Sequence, residues 1–463
     1  MPEFSKERIH FVGVGGAGMC ALAEYCLLCG AEVSGSDIRE NAAFRHLKEA
    51  GAEVYLGARR DIIARAGLVV RSSAVPLSDK EVSLALTMGK RVIERHELLA
   101  LVAEDFDTVV AVSGTHGKTT VTAMTAHILA AGGVDFVAHI GGTPVGMGNL
   151  TVRGGGDGRL PRGIFLTEAC EYARHMLALR PDVAAVVSVD ADHPDCFGDI
   201  AEVRRAFAQF VENCPLTVVR AEDELICKGA HLCIAADGKA CACGECSRVG
   251  VCAYETHPSL ECEDAQTVTL TLSGERACFT LPFPGEHYAE DAAFAVALAH
   301  SLGVGVREAA QSLSTFRGVA RRFERAGEIC GAEAVFDYAH HPTEIACALA
   351  AAEGGGRRVL VVFQPHTYSR TAAYITDFAR VLGASDEVVL LPVFAARERA
   401  AAGGTTADLE REIGRVSPKC KVYSAVSLDD ALSFVKMRAN EYDRVMFLGA
   451  GDIYDIKDRL REV

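Results

Sequence analysis

Short apolar runs that end in glycine turns recur along the chain, and each is followed by residues with helical spacing. The run IHFVGV begins at Ile9, a helix is predicted near Met19–Leu28, and AEVSGSD forms the next predicted strand. Alternation of strands with amphipathic helices is typical of parallel α/β sheets. The start of the chain is therefore predicted to be an α/β domain with a parallel sheet.

The same alternation occurs in two further blocks. Apolar runs in the central block are DTVVAVSG, GIFLTEA and DVAAVVSV, and those in the last block are EAVFDY, RRVLVVF, DEVVLL and RVMFLG. At about 150 residues per domain, 463 residues suggest about three domains. We predict an α/β protein with three domains, at residues 1–105, 106–325 and 326–463.

A glycine-rich turn follows the first strand. Gly13, Gly15 and Gly18 form the pattern G-x-G-x-x-G, and Asp37 ends the next strand. Because glycine has no Cβ, the backbone of such a turn can approach a diphosphate closely, and Asp37 can reach a ribose hydroxyl. The motif predicts a Rossmann-like nucleotide site without specifying the nucleotide. A tight turn that binds nothing is the alternative.

A second glycine turn follows the strand TVVAV and precedes the helix VTAMTAHILA. It contains the phosphate-facing half of a P-loop: Gly114, Thr115, His116, Gly117, Lys118, Thr119 and Thr120. Backbone amides in such a turn hold phosphates, the lysine reaches the outer oxygens, and a hydroxyl can bind Mg²⁺. Val112 replaces the first glycine of the strict motif, and a loop without ligand is the alternative. The turn predicts an ATP site that a hydride-transfer enzyme would not need.

Polar residues follow other predicted strands of the central and last blocks. Glu168 closes GIFLTEA, and Asp192 and His193 follow the next apolar run. Ligands in parallel sheets bind at the carboxyl ends of strands, and carboxylate oxygens suit Mg²⁺. The last block carries DYAHHP and QPHTYSR at the same edge, and Arg321-Arg322 lie at the hinge before it. A metal and phosphate site is predicted, with structural or surface roles as the alternatives.

Composition and charge limit the function further. Lys and Arg number 47 and Asp and Glu 62, which gives a net charge of −15 and disfavours nucleic acid or anionic membrane as a partner. No apolar run approaches the ~20 residues that span a bilayer, and the first residues lack a secretory signal pattern. We expect a cytoplasmic protein without membrane insertion.

Cysteines are concentrated between residues 227 and 262. They are Cys227, Cys233, Cys241, Cys243, Cys246, Cys252 and Cys262. The spacing lacks the paired C-x₂₋₄-C pattern of zinc sites. Reduced thiols without metal are the favoured interpretation, with zinc as the alternative.

Taken together, the ordered motifs resemble the Mur ligase family, in the branch that adds L-alanine to a UDP-sugar. They are HFVGVGGAGM, SGSD, GTHGKTT, EACEY, DADHPD, GVARRFE, DYAHHPTEI and FQPHTYSRT. The resemblance implies a Rossmann-like UDP-binding domain, a central P-loop ATPase domain and a C-terminal Rossmann-like amino-acid domain. It implies ATP-dependent ligation of L-alanine to the lactyl carboxylate of UDP-N-acetylmuramate through an acyl phosphate, in peptidoglycan precursor synthesis. ATP and Mg²⁺ are the expected cofactors, and a monomer or weak homodimer is expected.

The resemblance also implies roles for individual residues. Lys118, Glu168, His193 and Arg370 are the expected catalytic residues, and Thr119, Glu168 and His193 the expected metal ligands. Arg322 and Asp337 are expected to join the P-loop on ATP. Gly15, Gly16, Ala17, Gly18, Asp37, Ser72 and Ser73 are expected to face the UDP moiety, with Arg95 and His96 toward the sugar. Tyr338, His341 and Arg370 are expected near the incoming amino acid.

Some positions depart from the family pattern. Ala208 stands where sister ligases often carry a carbamylated lysine, as expected for the alanine-adding branch. Tyr288 and Asp291 replace two asparagines, so how adenine is held stays open, and Ser188 and Asp190 replace an asparagine and a glutamate. The alternatives are a peptide-recycling ligase on the same UDP-sugar, a nucleotide-binding homologue without turnover, and an NAD-dependent dehydrogenase.

Overall fold

The computed structural model describes most of the chain. It covers residues 6–460 except 157–158, 195, 228–229, 237–238, 240–241, 243–249, 260–263, 397 and 400–402. Three α/β domains follow one another, each built on its own sheet, which confirms the predicted fold class. The limits at residues 105 and 325 stay predictions.

The first domain is a parallel sheet covered by helices. Over the described residues its sheet has five parallel strands in the order β3-β2-β1-β4-β5. The strands are β1 (Arg8–Val12), β2 (Glu32–Asp37), β3 (Glu53–Leu56), β4 (Leu68–Arg71) and β5 (Arg91–Glu94). The helices are α1 (Ala17–Leu28), α2 (Ala42–Glu49), α3 (Arg60–Arg65), α4 (Lys80–Thr87) and α5 (Arg95–Ala103).

The central domain has a mixed sheet. Its described strands are β6 (Thr108–Ser113), β7 (Phe136–His139), β8 (Leu150–Arg153), β9 (Ile164–Glu168), β10 (Val183–Val186), β11 (Leu216–Arg220), β12 (Leu232–Ala236), β13 (Gly250–Pro258), β14 (Gln266–Leu272) and β15 (Glu275–Leu281). They lie in the order β15-β14-β13-β12-β11-β10-β6-β9-β7-β8. The helices are α6 (Lys118–Ala131), α7 (Ile200–Val211), α8 (Glu224–Cys227), α9 (Glu286–Ser301) and α10 (Val306–Ser312), with 3₁₀ turns at Tyr172–Ala178 and Leu313–Thr315.

The middle of this central sheet is parallel as predicted, but both edges are antiparallel. β8 pairs antiparallel with β7 at one edge, and β13, β14 and β15 form an antiparallel extension at the other. The prediction of a parallel sheet is therefore correct only for the strands that carry the P-loop and its neighbours. Helix α6 also begins at Lys118, three residues before the predicted start, because Gly117 supplies the left-handed turn that redirects the chain.

The C-terminal domain repeats the strand–helix alternation. Its described strands are β16 (Glu324–Ile329), β17 (Ala332–Asp337), β18 (Val359–Phe363), β19 (Glu387–Leu390), β20 (Lys421–Ser424) and β21 (Arg444–Leu448), in the order β16-β17-β21-β18-β19-β20. All neighbouring pairs are parallel except β16 with β17. The helices are α11 (Pro342–Ala352), α12 (Tyr368–Ala373), α13 (Ile375–Leu382), α14 (Thr406–Val416), α15 (Leu428–Arg438) and α16 (Ile456–Leu460), with 3₁₀ turns at Gly354–Gly356, Ala439–Glu441 and Asp452–Asp455.

Side-chain caps fix where many helices begin. The side chains of Asn41, Asp79 and Asp199 accept hydrogen bonds from backbone amides in the first turns of α2, α4 and α7. Thr405 forms a capping box at α14, which satisfies amides that lack a partner in the helix. These caps fix the first residues of the four helices.

The apolar core continues from one domain into the next. One buried cluster joins Ile9 and Phe11 of the first domain to Phe165 of the central domain, and another joins Val112 to Leu448 of the C-terminal domain. In the described part of the chain, every helix is too short or too polar to cross a membrane. Cys227, Cys233 and Cys252 are buried, whereas Cys241, Cys243, Cys246 and Cys262 lie outside the described residues, so the thiol interpretation stays a prediction.

Candidate active site

The first glycine turn lies between β1 and α1, and Asp37 holds its shape. The backbone N–H of Gly15 donates to Asp37 Oδ2 at 2.8 Å, and Asn41 Nδ2 donates to the Gly15 carbonyl at 2.9 Å. A Cβ on Gly15 would lie only 2.8 Å from Asp37 Oδ2, so a side chain does not fit there. The turn and the acid thus lie together as the nucleotide motif requires, and the ribose contact stays a prediction.

The other residues predicted to face the UDP-sugar lie at the same edge of the first sheet. Ser72 and Ser73 follow β4, and Ser73 Oγ donates to a Glu94 oxygen at 3.3 Å. A Cβ on Gly18 would lie 3.4 Å from Arg95 Nη1, so this guanidinium is close to the glycine turn. The structure brings these residues together beside the central domain.

His96 lies against a histidine that sequence reasoning missed. Its ring stacks on His175 of the central domain with centroids 4.0 Å apart and planes 9° from parallel, and Glu94 Oε2 lies 3.4 and 3.6 Å from their nearest nitrogens. Burial lowers the pKa of both histidines, that of His175 to about 4. The two stacked rings and Glu94 thus form one polar cluster between the first and central domains.

The P-loop connects β6 to α6 in a tight backbone path. Gly114 and Gly117 have φ angles of +133° and +85°, which are unfavourable for other residues. A Cβ on Gly114 would lie 2.7 Å from Val187 Cγ2, and one on Gly117 would lie 2.7 Å from Asp291 Oδ1. Both glycines are therefore required by strain and by contact. The loop has the form that a phosphate-binding turn needs.

Lys118 lies at the first position of α6 and is held within this loop. Its Nζ donates to the carbonyls of Gly114 and Thr115, at 2.5 and 3.1 Å, and lies 2.8 Å from Glu171 Oε2. Burial by itself would lower the pKa of Lys118, but the nearby carboxylates, Glu171 first, raise it. Lys118 thus stays protonated, with its ammonium group beside the loop carbonyls and Glu171.

Two of the predicted metal ligands are adjacent. Thr119 Oγ1 donates to Glu168 Oε2 at 3.1 Å, and the Gly141 amide donates to Glu168 Oε1 at 2.6 Å. Burial raises the pKa of Glu168, and a divalent cation would stabilise its ionised form. A hydroxyl and a carboxylate are the hard oxygen donors that Mg²⁺ prefers, so these residues fit the metal.

The third predicted ligand, His193, lies on the loop after β10. Its φ is +54°, a left-handed conformation that is uncommon outside glycine, and its Nε2 is 3.5 Å from Glu171 Oε1. Glu171 therefore lies between Lys118 and His193. Sequence reasoning gave Glu171 no role, although it is part of the EACEY motif.

His116 of the P-loop connects the central domain to the C-terminal domain. Its Nε2 is 3.2 Å from Asp190 Oδ2, and its Nδ1 is 3.1 Å from Glu344 Oε1 at the start of α11. Burial alone would lower the pKa of His116, but the hydrogen bonds to these two carboxylates raise it to about 9. The charged imidazolium is therefore a bridge between two anionic groups. Sequence reasoning missed the role of Glu344.

Arg370 is paired with a carboxylate of the central domain. Its Nε and Nη2 donate to Asp192 Oδ1 at 3.1 and 2.9 Å, and both side chains are buried. Burial would raise the pKa of Asp192, but Arg370 holds it well below its usual range. The guanidinium that was predicted to bind an amino-acid carboxylate thus holds a protein carboxylate here.

Two further residues are predicted near the amino acid, His341 and Tyr338. His341 is buried beside His116, with ring centroids 5.0 Å apart, and its Nδ1 is 3.6 Å from Asp190 Oδ2. The Tyr338 ring packs against the guanidinium of Arg322 at 5.2 Å. These contacts put both residues at the border between the central and C-terminal domains.

Arg322 and Asp337, predicted to act on ATP, meet at the hinge. Asp337 ends β17, and its carboxylate accepts the Phe323 and Ala339 amides at 2.7 and 2.8 Å. Burial raises the pKa of Asp337, although Arg322 opposes this shift. Arg322 Nη1 also lies 3.9 Å from Glu344 Oε1. Glu344, which contacts His116, thus connects Arg322 to the P-loop.

Comparison with known proteins gives matches over almost the whole chain. Three family models match in order: "Mur ligase family, catalytic domain" over residues 8–107, "Mur ligase middle domain" over 112–299 and "Mur ligase, glutamate ligase domain" over 321–451. A UDP-N-acetylmuramate–L-alanine ligase of Clostridium novyi is 34% identical, over 99% of this chain and 98% of its own length. The UDP-N-acetylmuramate–L-alanine ligase of Thermobifida fusca is 36% identical, over 98% of this chain and 96% of its own length.

Solved structures give the same result. The UDP-N-acetylmuramate–alanine ligase of Thermotoga maritima superposes with a TM-score of 0.80 at 26% identity, covering 98% of both chains. A murein peptide ligase of Psychrobacter arcticus shares the fold, with a TM-score of 0.72 at 23% identity over 98% of both chains. With relatives this similar along its full length, the chain belongs to the Mur ligase family.

Proposed function

We propose that this protein ligates L-alanine to the lactyl carboxylate of UDP-N-acetylmuramate at the expense of ATP. The observation that supports this most is that the P-loop and the loop after β10 meet Glu344 and Arg370 of the C-terminal domain at one domain border, through the His116–Glu344 and Arg370–Asp192 contacts. The full-length relatives named as alanine ligases support the choice of substrates. The proposed setting is the cytoplasm, and the proposed state is a monomer or weak homodimer.

In the proposed reaction, a lactyl carboxylate oxygen attacks the γ-phosphorus of ATP and ADP leaves, giving an acyl phosphate. The amino group of L-alanine then attacks the carbonyl carbon, and phosphate leaves from the tetrahedral intermediate. A carboxylate is a poor electrophile until phosphorylation turns one of its oxygens into a leaving group. The lactyl carboxylate and the γ-phosphate are both anions and must approach each other in the first step. Positive charge at the P-loop lowers this barrier and so raises the rate.

The residues divide this work among the domains. Lys118 would hold the outer phosphates, and its pairing with Glu171 keeps it charged. Thr119 and Glu168 would hold one Mg²⁺ and His193 a second, and Mg²⁺ supplies charge neutralisation to the phosphates when bound. Arg370 would orient the amino acid through its carboxylate, with Asp192 fixing the guanidinium beforehand. The glycine turn and Arg95 would hold the UDP-sugar.

Phosphate release tests this proposal. MgATP is supplied with UDP-N-acetylmuramate and L-alanine, separately and together, and release is expected only with all three. If L-alanine fails but a tri- or tetrapeptide supports release, the peptide-recycling ligase is the correct function. If neither acceptor works while the UDP-sugar still binds, the protein is a nucleotide-binding homologue without turnover.

A further inference from the structure

Glu94, His96 and His175 form a polar cluster to which the proposed reaction gives no role. Glu94 ends β5, His96 lies in the first turn of α5, and His175 lies in the 3₁₀ turn Tyr172–Ala178 of the central domain. One ligand atom from each side chain lies within 4.8 Å of the other two. The three side chains are only 23%, 21% and 11% exposed. Two imidazoles and a carboxylate thus meet in a partly buried space between two domains.

The separations between these donor atoms match those around a zinc ion. Glu94 Oε2 lies 3.4 Å from His96 Nδ1 and 3.6 Å from His175 Nε2. Tetrahedral Zn²⁺ with ligands at about 2.1 Å separates neighbouring donor atoms by about 3.4 Å. Because the two rings stack, one ring must rotate about its Cβ–Cγ bond before both nitrogens can point at one ion. That rotation is a side-chain movement and needs no change in the backbone.

Two further observations indicate a missing ligand at this cluster. His96 Nδ1 is buried and has no hydrogen-bond partner among the residues that the structure describes. Buried polar atoms rarely lack a partner, and a metal ion would supply one to this nitrogen. Ala173 and Arg174, which precede His175, have φ angles of +49° and +60°. Two successive non-glycine residues in this left-handed region are strained, and strain of this kind is concentrated at binding sites.

The surroundings hold Glu94 in place and balance the charge. Arg71 Nη2 donates to Glu94 Oε1, and Ser73 Oγ donates to Glu94 Oε2 at 3.3 Å. Outer hydrogen bonds of this kind orient the carboxylates that ligate metals. The cations Arg71 and Arg95 are matched by the anions Glu94 and Glu97 around the His96 ring. The imidazole nitrogens, rather than an excess of negative charge, would therefore give the site its affinity, and imidazole favours zinc over magnesium.

We propose that Glu94, His96 and His175 bind one Zn²⁺ ion that connects the first domain to the central domain. Three protein ligands leave the fourth position to water. Mg²⁺ prefers oxygen ligands, so this ion is separate from the Mg²⁺ proposed at Thr119 and Glu168. The inference does not depend on the proposed ligase activity, and its test uses metal binding alone.

Zn²⁺ binding to the metal-free protein tests the site, by titration calorimetry and by metal analysis after dialysis, with Mg²⁺ in excess. His96→Ala and His175→Ala should each bind one Zn²⁺ fewer per chain, or bind it with a Kd raised at least about tenfold. Glu94→Gln keeps the size of the side chain but removes its charge, so its Kd should also rise. His46→Ala is the matched control. His46 lies 3.1 Å from a Glu24 oxygen but belongs to no group of three donors in the described part of the chain, so Zn²⁺ binding should not change.

Co²⁺ in place of Zn²⁺ identifies the ligand atoms, because the 17 cysteines of the chain could also bind zinc. The difference spectrum between the unaltered protein and His175→Ala, both with Co²⁺, should contain visible d–d bands without the charge-transfer band of a thiolate ligand. Anomalous diffraction at the zinc edge, from crystals of the unaltered protein grown with Zn²⁺, should locate an ion between Glu94, His96 and His175. This last measurement needs no substitution and therefore does not depend on the folding of a variant.

Three results would each overturn the proposal. The first is equal Zn²⁺ stoichiometry and Kd in the unaltered protein and in folded His96→Ala or His175→Ala, with the fold checked by circular dichroism. The second is a thiolate band in the Co²⁺ difference spectrum, and the third is the absence of an anomalous peak between the three side chains.

Discussion

Lys118 is the side chain on which the proposed chemistry depends most directly. Its ammonium group is held by the loop carbonyls and Glu171, with no second lysine in the P-loop sequence. Lys118→Ala should reduce phosphate release in the complete assay at least about 100-fold, because charge stabilisation in a buried site is lost. Lys239→Ala is the control, since Lys239 pairs with Glu222 at the surface and should leave the rate unchanged. Retention of more than a tenth of the activity by Lys118→Ala would contradict the assigned role.

A second prediction concerns Gly114, in the backbone of the same loop. A Cβ there would lie 2.7 Å from Val187 Cγ2 and 2.9 Å from the Ser188 nitrogen, so Gly114→Ala should displace the loop and raise the Kd for MgADP more than about tenfold. Gly133→Ala is the matched control: its φ is also positive, +67°, but a Cβ there meets nothing within 4 Å. It should cost only about 1 kcal/mol of stability and leave MgADP binding intact. Equal Kd values for the two variants would argue against a phosphate-binding role for the loop.

Individual site residues differ in how far the sequence predicts them. Lys118, Thr119 and Glu168 follow from the glycine turn and from strand ends, because local spacing fixes their position. Glu171 and Glu344 were missed, since a carboxylate in a loop or on a helix has no local pattern that reveals its partner. Glu171 lies in the EACEY motif and Glu344 in DYAHHPTEI, and that location was the available signal.

The bridge between the P-loop and α11 has a pH dependence that can be predicted. The pKa of His116 is raised to about 9 by Asp190 and Glu344, against the effect of burial. Because the folded protein binds this proton more tightly than the unfolded chain does, protonated His116 stabilises the fold fully below the pKa of the unfolded chain, about 6.5. This stabilisation is lost as the pH rises to about 9. Its size is at most about 3 kcal/mol.

Thermal unfolding of the unaltered protein and His116→Asn at pH 6 and pH 9.5 checks this. The Tm advantage of the unaltered protein should be present at pH 6 and largely gone at pH 9.5. His257→Asn, on an exposed side chain, should behave like the unaltered protein at both values. A difference that grows with pH would have the wrong sign and would refute the bridge.

Elements with apolar runs were predicted well, and elements with mixed patterns were not. The strands β6, β9, β17 and β18 coincide with apolar runs that the sequence shows directly. β14 alternates buried and less buried positions, a two-residue period that indicates a half-exposed strand, but sequence reasoning missed it. The strand predicted from DVAAVVSV ends at Val186, because the following residues form the loop that carries Asp190 and His193.

At the level of the whole molecule, the groups that are proposed to contact ATP come from two domains. His116 contacts Glu344, and Arg370 contacts Asp192, across the border between the central and C-terminal domains. We predict that MgADP together with UDP-N-acetylmuramate reduces the radius of gyration in solution scattering, because closure excludes water from the acyl phosphate. Identical scattering curves with and without the ligands would contradict domain closure.

The sequence by itself determined the three α/β blocks, the two glycine turns and the polar strand ends. Each depends on a local pattern: apolar periodicity for strands and helices, and glycine with lysine or acid at short spacing for the turns. These patterns act within a few residues, so they can be interpreted without knowledge of distant contacts.

Only the tertiary structure decided which of these parts meet. Asp192 and Arg370 are 178 residues apart, and His116 and Glu344 are 228 apart, yet each pair is in direct contact. The same holds for Asp291, which the helix α9 places against Gly117 of a distant loop. Pairing between charges depends on packing of whole domains through a shared apolar core, and no local spacing encodes it.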